Sequence, residues 1–232
     1  MRNALVLLTS ALLFCVVAAS SAGAADPGAV SGRDATTGLR DALIQGAGKA
    51  VSTLGTTDGF LGNARVRIPL PPSIKKAERA LKMLGMSKQA DELVTSMNRA
   101  AELAVKEATP VLVDAVKKMS VQDAKGILAG GDHAATDYFR KTTSDALAVR
   151  FLPIVRKMTA RVQLSSQYDQ LAGQAAKLGL VKAEEANIDS YVTRKALDGL
   201  FVLIADEEAK IRANPVSAVS SVAKKVFGAL RN

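Results

Sequence analysis

Apolar residues recur at intervals of three and four along most of the chain after residue 33, and this spacing constrains the fold more than any other feature. Such intervals place apolar side chains on one face of an α-helix. The clearest run begins at Ser87, and its apolar members are Ala90, Leu93, Val94, Met97, Ala101, Ala104, Val105 and Ala108. The alternation typical of strands is confined to one short stretch, so we predict an all-α fold, a multi-helix bundle.

One helix is predicted to lie at the centre of this bundle, over about residues 189–213. Residues 200–205 within it are apolar on every side, a pattern that requires neighbours all round the helix. Towards its end, Asp206 with Lys210 and Glu208 with Arg212 have the acid-before-base spacing of surface ion pairs.

A long irregular loop is predicted over about residues 55–72, because turn-forming residues and prolines interrupt the helical pattern there. Within it, Val66 and Ile68 alternate with Arg65 and Arg67. We expect this alternation to form a short extended segment that packs against the bundle.

Capping residues and prolines predict where the other helices begin and end. Asp34 and Asp132 are expected to be N-caps, and Ser120 is expected to open a capping box with Asp123. Pro153 should kink or split the helix that contains it. The predicted inner positions of the helix that follows Pro110 are Val113, Val116 and Met119.

The first 25 residues are interpreted as a cleavable signal peptide. Arg2 supplies a positive charge, residues 4–19 are almost continuously apolar, and residues 22–24 are small. A membrane anchor is the main alternative, but the apolar run is short and no charged cluster follows it. We therefore expect residues 1–25 to be removed, 26–33 to form a flexible leader and 34–232 to form a single helical domain. The expected location is the periplasm, with no transmembrane span after cleavage.

Composition restricts the partners that such a protein would have. The formal net charge is +9, which favours anionic partners. Export argues against nucleic acid, and leaves an anionic envelope component or an envelope protein as the expected partner. The simpler alternative is that the excess of Lys and Arg only solvates helix surfaces. Aromatic residues make up 4% of the chain and Trp is absent, which weakens base stacking and membrane anchoring alike.

Basic residues are densest near the predicted loop. The predicted anion-binding surface consists of Arg65, Arg67, Lys75, Arg79 and Lys82. A second basic stripe consists of Arg150, Lys157 and Arg161. Taken alone, each stripe is better explained as an ordinary solvated helix face.

A polar row accompanies the apolar face of the helix that begins at Ser87. Its members are Asp91, Thr95, Asn98 and Glu102, with Arg99 nearby. Together with the loop residues Asp58 and Asn63, we predict a ligand-binding site formed by Asp58, Asn63, Asn98, Arg99 and Glu102. The favoured alternative for this row is a solvated flank or a seam of hydrogen bonds between helices.

No catalytic residue, metal site or cofactor is predicted. His133 is the only histidine, and no activated nucleophile accompanies it. Cys15, the only cysteine, lies in the predicted signal peptide, so neither a disulfide nor a zinc site is expected afterwards. Asp58, Asn63 and Asp132 offer oxygen ligands for calcium, but they lack EF-hand spacing and are explained by turns.

Several longer strings resemble the bacterial DUF4197 family, a domain of unknown function found in exported proteins. These strings are Thr57-Asp58-Gly59-Phe60 with Asn63, Ile68-Pro69-Leu70-Pro71, Ser96-Met97-Asn98-Arg99-Ala100-Ala101-Glu102, Ala134-Ala135-Thr136-Asp137-Tyr138-Phe139, Lys195-Ala196-Leu197-Asp198-Gly199-Leu200-Phe201, Ile204-Ala205-Asp206-Glu207-Glu208, Ile211-Arg212-Ala213-Asn214-Pro215 and Lys224-Lys225-Val226-Phe227-Gly228. The resemblance covers nearly all of the chain after the signal peptide. It implies an exported, mainly helical bacterial protein, and it supplies no activity, ligand or active site.

Three functional hypotheses follow. The leading one is a non-enzymatic helical-bundle protein that binds an anionic envelope component or partner protein through its basic surface and the loop from Asp58 to Pro72. The second is a small-ligand carrier or enzyme with a polar pocket around Asp58, Asn98, Arg99 and Glu102. The third is a purely structural scaffold.

Overall fold

The computed structural model describes residues 32–72, 87–162 and 187–213, together with residues 75, 83, 85, 165–166 and 168–169. Within these ranges the chain is helical and contains no β-strand, so the all-α prediction is confirmed. The helices are α1 (Gly32–Leu54), α2 (Ser87–Ala104), α3 (Ala108–Lys118), α4 (Val121–Ala129), α5 (Ala134–Thr159) and α6 (Ile188–Ala213), and a 3-10 turn at Val105–Glu107 joins α2 to α3.

Helix α6 lies at the centre of the described bundle. It contacts α1, α2 and α5, and no residue from 188 to 208 is exposed. Asn187 begins the helix, because its Oδ1 atom accepts a hydrogen bond of 2.7 Å from the backbone N–H of Ser190. The central helix was predicted over about 189–213, so its bounds and its burial are both confirmed.

Helices α2 and α3 bury the stripe that the apolar spacing indicates. Every predicted apolar member of the first run is buried except Val94, which is half-buried. In α3 the inner positions are Leu112, Val116 and Met119, so the prediction of Val113 is wrong by one residue. The helix restarts at Ala108, and this register places Leu112 inward and leaves Val113 half-buried.

Two predicted N-caps are wrong. Helix α1 begins at Gly32, which places Asp34 inside the helix and moves the start of helical structure into the expected leader. The N-cap position of α5 is His133 rather than Asp132, and it makes no side-chain capping bond. A glutamate from α6 accepts the hydrogen bonds at this helix start instead, as described below.

Pro153 does not split α5, which is one helix from Ala134 to Thr159. Proline removes one backbone N–H and so leaves the carbonyl group of Val149 without its helical partner. Pro153 and Val149 both lie on the exposed side of the helix, where water can bind this carbonyl group. The helix therefore tolerates the proline.

Residues 55–71, which we call the 55–71 loop, are not helical, and this confirms the irregular loop. Val66 and Ile68 are buried, whereas Arg65 and Arg67 are exposed, as the alternation predicts. The loop packs across α2 and α6 and carries four of the predicted site residues, Asp58, Asn63, Arg65 and Arg67.

Other predicted segments fall outside the described residues. They are the signal peptide, most of the leader and of the helix predicted after Ser73, the segment from 170 to 186, and the helix predicted after Pro215. Gly85 has a φ of 72°, the left-handed conformation expected of a glycine that ends a helix. Among the described helices, none combines the length and apolarity that a membrane span requires.

Candidate functional site

Glu102 on α2 is buried and holds the 55–71 loop. Its Oε1 atom accepts hydrogen bonds of 3.1 Å from the backbone N–H groups of Phe60 and Leu61. Only 4% of the residue is exposed. Loop N–H groups have no regular backbone partner, so this carboxylate satisfies donors that would otherwise be buried without an acceptor. Glu102 therefore fixes the loop to the bundle.

Arg99 connects the Glu102 carboxylate to the outer part of the loop. Its Nη1 atom donates to Oε2 of Glu102 at 2.7 Å, and its Nη2 atom donates to Oδ1 of Asp58 at 2.9 Å. The hydrogen bond to Glu102 raises the pKa of the Arg99 guanidinium above its ordinary value. The side chains of Arg99 and Asp58 are 31% and 58% exposed, so this end of the network meets solvent.

Asn98 is fully buried and pairs with the backbone of Ile68. Its Oδ1 atom accepts from the Ile68 N–H at 2.8 Å, and its Nδ2 atom donates to the Ile68 carbonyl oxygen at 2.9 Å. Nδ2 also donates to the carbonyl oxygen of Val94 at 2.8 Å. One side-chain amide thus gives Ile68 the two hydrogen bonds that a neighbouring antiparallel strand would give.

Asn63 and Asp58 shape the loop itself. Oδ1 of Asn63 accepts from the Arg65 N–H at 3.1 Å, and its carbonyl oxygen accepts from the N–H groups of Val66 and Arg67 at 3.1 and 2.8 Å. Asp58 has a φ of 66°, a left-handed conformation that Asp tolerates better than most residues do. The polar atoms of Asn63 are therefore engaged by the backbone of its own loop.

Helix α6 holds the loop from the other side. Phe60 is fully buried, and a Cβ atom placed on Gly199 would lie 2.6 Å from Cε1 of Phe60 and 3.2 Å from Cβ of Val66. Gly199 therefore provides the space that the Phe60 ring occupies. The hydroxyl group of Tyr191 donates to the carbonyl oxygen of Pro69 at 3.2 Å. The loop is thus fixed between α2 and α6.

The polar row predicted along α2 divides into two parts. Asn98 and Glu102 are buried and bind the loop backbone, whereas Asp91 and Thr95 are exposed. The inner part is a hydrogen-bonded seam and the outer part is a solvated flank. Asp58, Asn98, Arg99 and Glu102 all meet at the contact between loop and helix, but their role in ligand binding stays a prediction.

The predicted anion-binding surface is only partly free. Arg65 forms a two-point ion pair with Asp206 on α6, in which Nη2 donates to Oδ1 at 3.0 Å and Nη1 donates to the other carboxylate oxygen. The hydrogen bond to Asp206 raises the pKa of Arg65. Arg65 is therefore an internal link between loop and α6. Arg79 and Lys82 lie outside the described residues.

Arg67 and Lys75 line an open groove of about 720 Å³ between the loop and α2. Both are exposed, and no acidic side chain within the described ranges forms an ion pair with either. We call this the loop–α2 groove. Among the described residues, its lining also includes Leu61, Gly62, Ala64, Pro69, Leu70, Asp91 and Val94.

A second buried glutamate, Glu208 on α6, was predicted only as a surface partner of Arg212. Its Oε1 atom accepts from the Ala135 N–H at 3.0 Å, and its Oε2 atom accepts from the N–H and hydroxyl groups of Thr136 at 2.9 and 2.7 Å. Arg212 donates to the same carboxylate at 2.8 Å and to the Ile127 carbonyl oxygen at 3.1 Å. The carboxylate therefore caps α5.

Sequence spacing contained a signal for this inward position. Ile204, Glu208 and Ile211 follow at intervals of four and three, so they share one face of α6. A charged residue on an apolar face needs a partner, and here that partner is another helix. In place of the predicted pair between Asp206 and Lys210, Lys210 contacts Glu207 at 2.6 Å.

The described residues offer no cluster of metal ligands. Within the described ranges, no group of three His, Cys, Asp or Glu residues is placed to hold a metal ion. His133 is exposed at the start of α5. Around the loop, the structure presents a fixed backbone and the two exposed cations Arg67 and Lys75, which can bind an anion.

Comparison with known proteins gives one match. No curated protein and no solved structure matches the chain. The family model described as "Protein of unknown function (DUF4197)" matches residues 29–228, which is most of the chain. The first 25 residues lie outside the matched range. The chain belongs to this DUF4197 family.

Proposed function

We propose that the chain is an exported, periplasmic, non-enzymatic helical-bundle protein that binds an anionic component of the cell envelope. The observation that carries this proposal is the loop–α2 groove, where Arg67 on the fixed 55–71 loop and Lys75 just after the loop are both exposed. Export makes envelope lipids and glycans the anions that this surface would meet.

The fixed loop supports a binding role because it reduces the cost of ordering. Arg67 is followed by Ile68, whose N–H and C=O groups are both held by the buried Asn98. The N–H group of Arg67 donates to the Asn63 carbonyl oxygen at 2.8 Å. A ligand at this position therefore meets a cation whose backbone is already ordered, and preorganised sites lose less entropy on binding.

Export is supported by the sequence of the first 25 residues. They combine an early positive charge, an apolar run and small residues at the end. A tagged chain expressed in its bacterial host should appear in the periplasmic fraction with an N-terminus near residue 26. Recovery of intact Met1 in the cytosolic fraction would contradict the proposed location.

Binding is tested by sedimentation with vesicles of phosphatidylglycerol, with phosphatidylcholine vesicles as the uncharged comparison. We expect the purified chain to bind the anionic vesicles, and to release as salt concentration rises through the physiological range. Equal binding to both vesicles, or no binding to either vesicles or lipopolysaccharide, would refute an anionic envelope ligand. Capture of a single envelope protein by crosslinking in cells would favour the protein partner instead.

The alternative of a small-ligand carrier or enzyme with a polar pocket is favoured by one observation. Arg99 and Asp58 keep part of their surface in solvent, next to buried Glu102. A ligand carboxylate or phosphate would have to replace Asp58 on the Arg99 guanidinium. Asp58→Asn should then tighten binding of such an anion, and an unchanged affinity would remove the motivation for this alternative.

A further inference from the structure

We infer that the loop–α2 groove binds one anionic phospholipid, with the phosphate at Arg67 and Lys75 and an acyl chain along the groove floor. This inference rests on the proposed function and names the class of ligand. The groove offers apolar side chains, two exposed cations and a volume large enough for a lipid chain.

Part of the groove lining is apolar, and we call this part the floor. Leu70 and Val94 are half-buried and pack against the core, and Leu61 and Pro69 lie in the same lining. Leu61 cannot move away freely, because its N–H donates to buried Glu102 at 3.1 Å. An apolar floor gains free energy when a hydrocarbon chain removes it from water. A purely polar anion would leave this floor exposed.

The two cations lie on the same groove as this floor. Arg67 follows buried Val66, and Lys75 is placed by its N–H bond of 2.9 Å to the Pro71 carbonyl oxygen. Neither is in an ion pair with a described acidic side chain, whereas the neighbouring Arg65 is engaged by Asp206. A guanidinium can bind two phosphate oxygens at once, and an ammonium adds a point charge.

The volume of the groove fits one lipid chain with its headgroup. About 720 Å³ lies within the range of roughly 300–1,000 Å³ that small-molecule sites occupy. The groove is open to solvent, so a lipid with one acyl chain can enter it without displacing the loop. A small enclosed cavity would have excluded such a ligand.

Asp91 gives the groove a preference among anionic headgroups. Its carboxylate is exposed in the lining beside the two cations. A second negative charge on the ligand would be repelled by this carboxylate, whereas a glycerol hydroxyl group can donate to it. We therefore expect a phosphodiester such as phosphatidylglycerol to bind more tightly than a phosphomonoester such as phosphatidic acid.

The chain contains no Trp, so one introduced Trp reports on the groove alone. In Leu70→Trp, titration with lysophosphatidylglycerol below its critical micelle concentration should shift the emission to shorter wavelength and saturate. Calorimetry on the unmodified chain with the same lipid guards against damage by the substitution. Glycerophosphoglycerol, which has the same phosphodiester headgroup but no acyl chain, should bind about tenfold more weakly or worse.

Matched charge variants locate the site. The double variant Arg67→Gln/Lys75→Gln should weaken the affinity for lysophosphatidylglycerol by about tenfold or more. Lys117→Gln/Lys125→Gln removes the same charge from exposed positions on α3 and α4 and should leave the affinity unchanged. Asp91→Asn should narrow the preference for lysophosphatidylglycerol over lysophosphatidic acid.

The outcomes separate this inference from the proposed function. If both double variants weaken vesicle binding equally and no monomeric lipid binds, the groove assignment is overturned while surface binding of anions stands. If the chain binds neither vesicles nor monomeric lipid, both proposals fail. Saturable binding that is lost only in Arg67→Gln/Lys75→Gln supports both.

Discussion

The side-chain amide of Asn98 hydrogen-bonds both the N–H and the C=O group of Ile68, in the place that a neighbouring β-strand would take. An extended segment is thereby paired with a helix side chain, in a described part of the chain that contains no sheet. The donor and the acceptor on Asn98 are both required, so the position is sensitive to small chemical changes.

Substitution of Asn98 tests this pairing. Asn98→Ala should lower the free energy of unfolding by about 2–4 kcal/mol, because it leaves buried N–H and C=O groups of Ile68 without partners. Asn98→Asp should cost more at neutral pH, since a buried carboxylate would face the carbonyl oxygens of Ile68 and Val94. Urea denaturation measures both.

The Asp variant also has a signature in pH. Burial raises the pKa of a carboxyl group, so Asn98→Asp should approach the stability of Asn98→Ala as pH falls and the introduced group gains a proton. Thr95→Ala changes an exposed position on the same helix and should alter stability by less than about 0.5 kcal/mol. Equal stability of the Asp and Ala variants at neutral pH would argue against the pairing.

Glu102 should anchor the loop through its charge and its shape. Glu102→Ala is expected to cost about 2–4 kcal/mol, because the N–H groups of Phe60 and Leu61 lose their acceptor. Hydrogen exchange at these two amides should accelerate more than at amides within α6. Glu92→Ala, an exposed position on α2, is the matched control. Unchanged exchange at Phe60 and Leu61 would exclude this anchoring role.

Two glycines within helices should respond in opposite directions to the same change. Gly199→Ala should destabilise by about 1–3 kcal/mol, since the added methyl group would lie 2.6 Å from the buried Phe60 ring. A Cβ atom added at Gly48 on α1 would meet nothing within 4 Å outside the backbone of its own helix. Gly48→Ala should therefore raise the free energy of unfolding by about 0.5–1 kcal/mol. Thermal unfolding compares the two.

A smaller side chain at position 60 tests whether the Phe60 ring causes the destabilisation by Gly199→Ala. Phe60→Leu should cost less in the Gly199→Ala background than in the unmodified chain, because the smaller side chain relieves the contact. Additive effects of the two substitutions would indicate that Phe60 is not the residue in conflict.

The start of α4 should depend on pH. Ser120 and Asp123 form a reciprocal capping box, in which Asp123 accepts from the Ser120 hydroxyl group at 2.7 Å and from its N–H at 2.9 Å. The hydrogen bond from the Ser120 hydroxyl group lowers the pKa of Asp123. Because the pKa of Asp123 is lower in the folded state than in the unfolded state, its ionised form stabilises the fold. This stabilisation is complete above the unfolded-state pKa of about 3.9, and it is lost as pH falls through the folded-state pKa.

Accordingly, Asp123→Ala should reduce stability near neutral pH and have a progressively smaller effect as pH falls below the unfolded-state pKa of about 3.9. Ser120→Ala should cost about 1 kcal/mol at neutral pH. Asp145→Ala on the exposed face of α5 controls for loss of a surface charge. A destabilisation by Asp123→Ala that is constant with pH would contradict a role for its ionised form.

Local patterns predicted the helices well because helix formation and burial both follow residue spacing. The capping box at Ser120 and the cap at Asn187 lie within three residues of the groups they bind, so sequence alone indicates them. The burial of Val66 and Ile68 likewise follows from alternation over adjacent residues.

Contacts between distant parts of the chain were the ones that spacing could not specify. Arg65 was assigned to an anion surface, but its partner Asp206 lies on another element and is known only once the loop is placed. Glu208 was paired correctly with Arg212, yet its contact with the start of α5 depends on how two helices pack. Asp58, Arg99 and Glu102 lie together in the structure, but sequence spacing could not show that Glu102 binds the N–H group of Phe60 or that Arg99 binds Asp58.

The cap that Glu208 provides has a consequence for the order of assembly during translation. Ala135 is synthesised 73 residues before Glu208, the residue that accepts the hydrogen bond from its N–H group. While a ribosome is still adding that stretch, the opening turn of α5 lacks its acceptor and is free to fray. A truncated product that ends before residue 208 would therefore contain all of α5 but lack the carboxylate that caps the first turn of this helix.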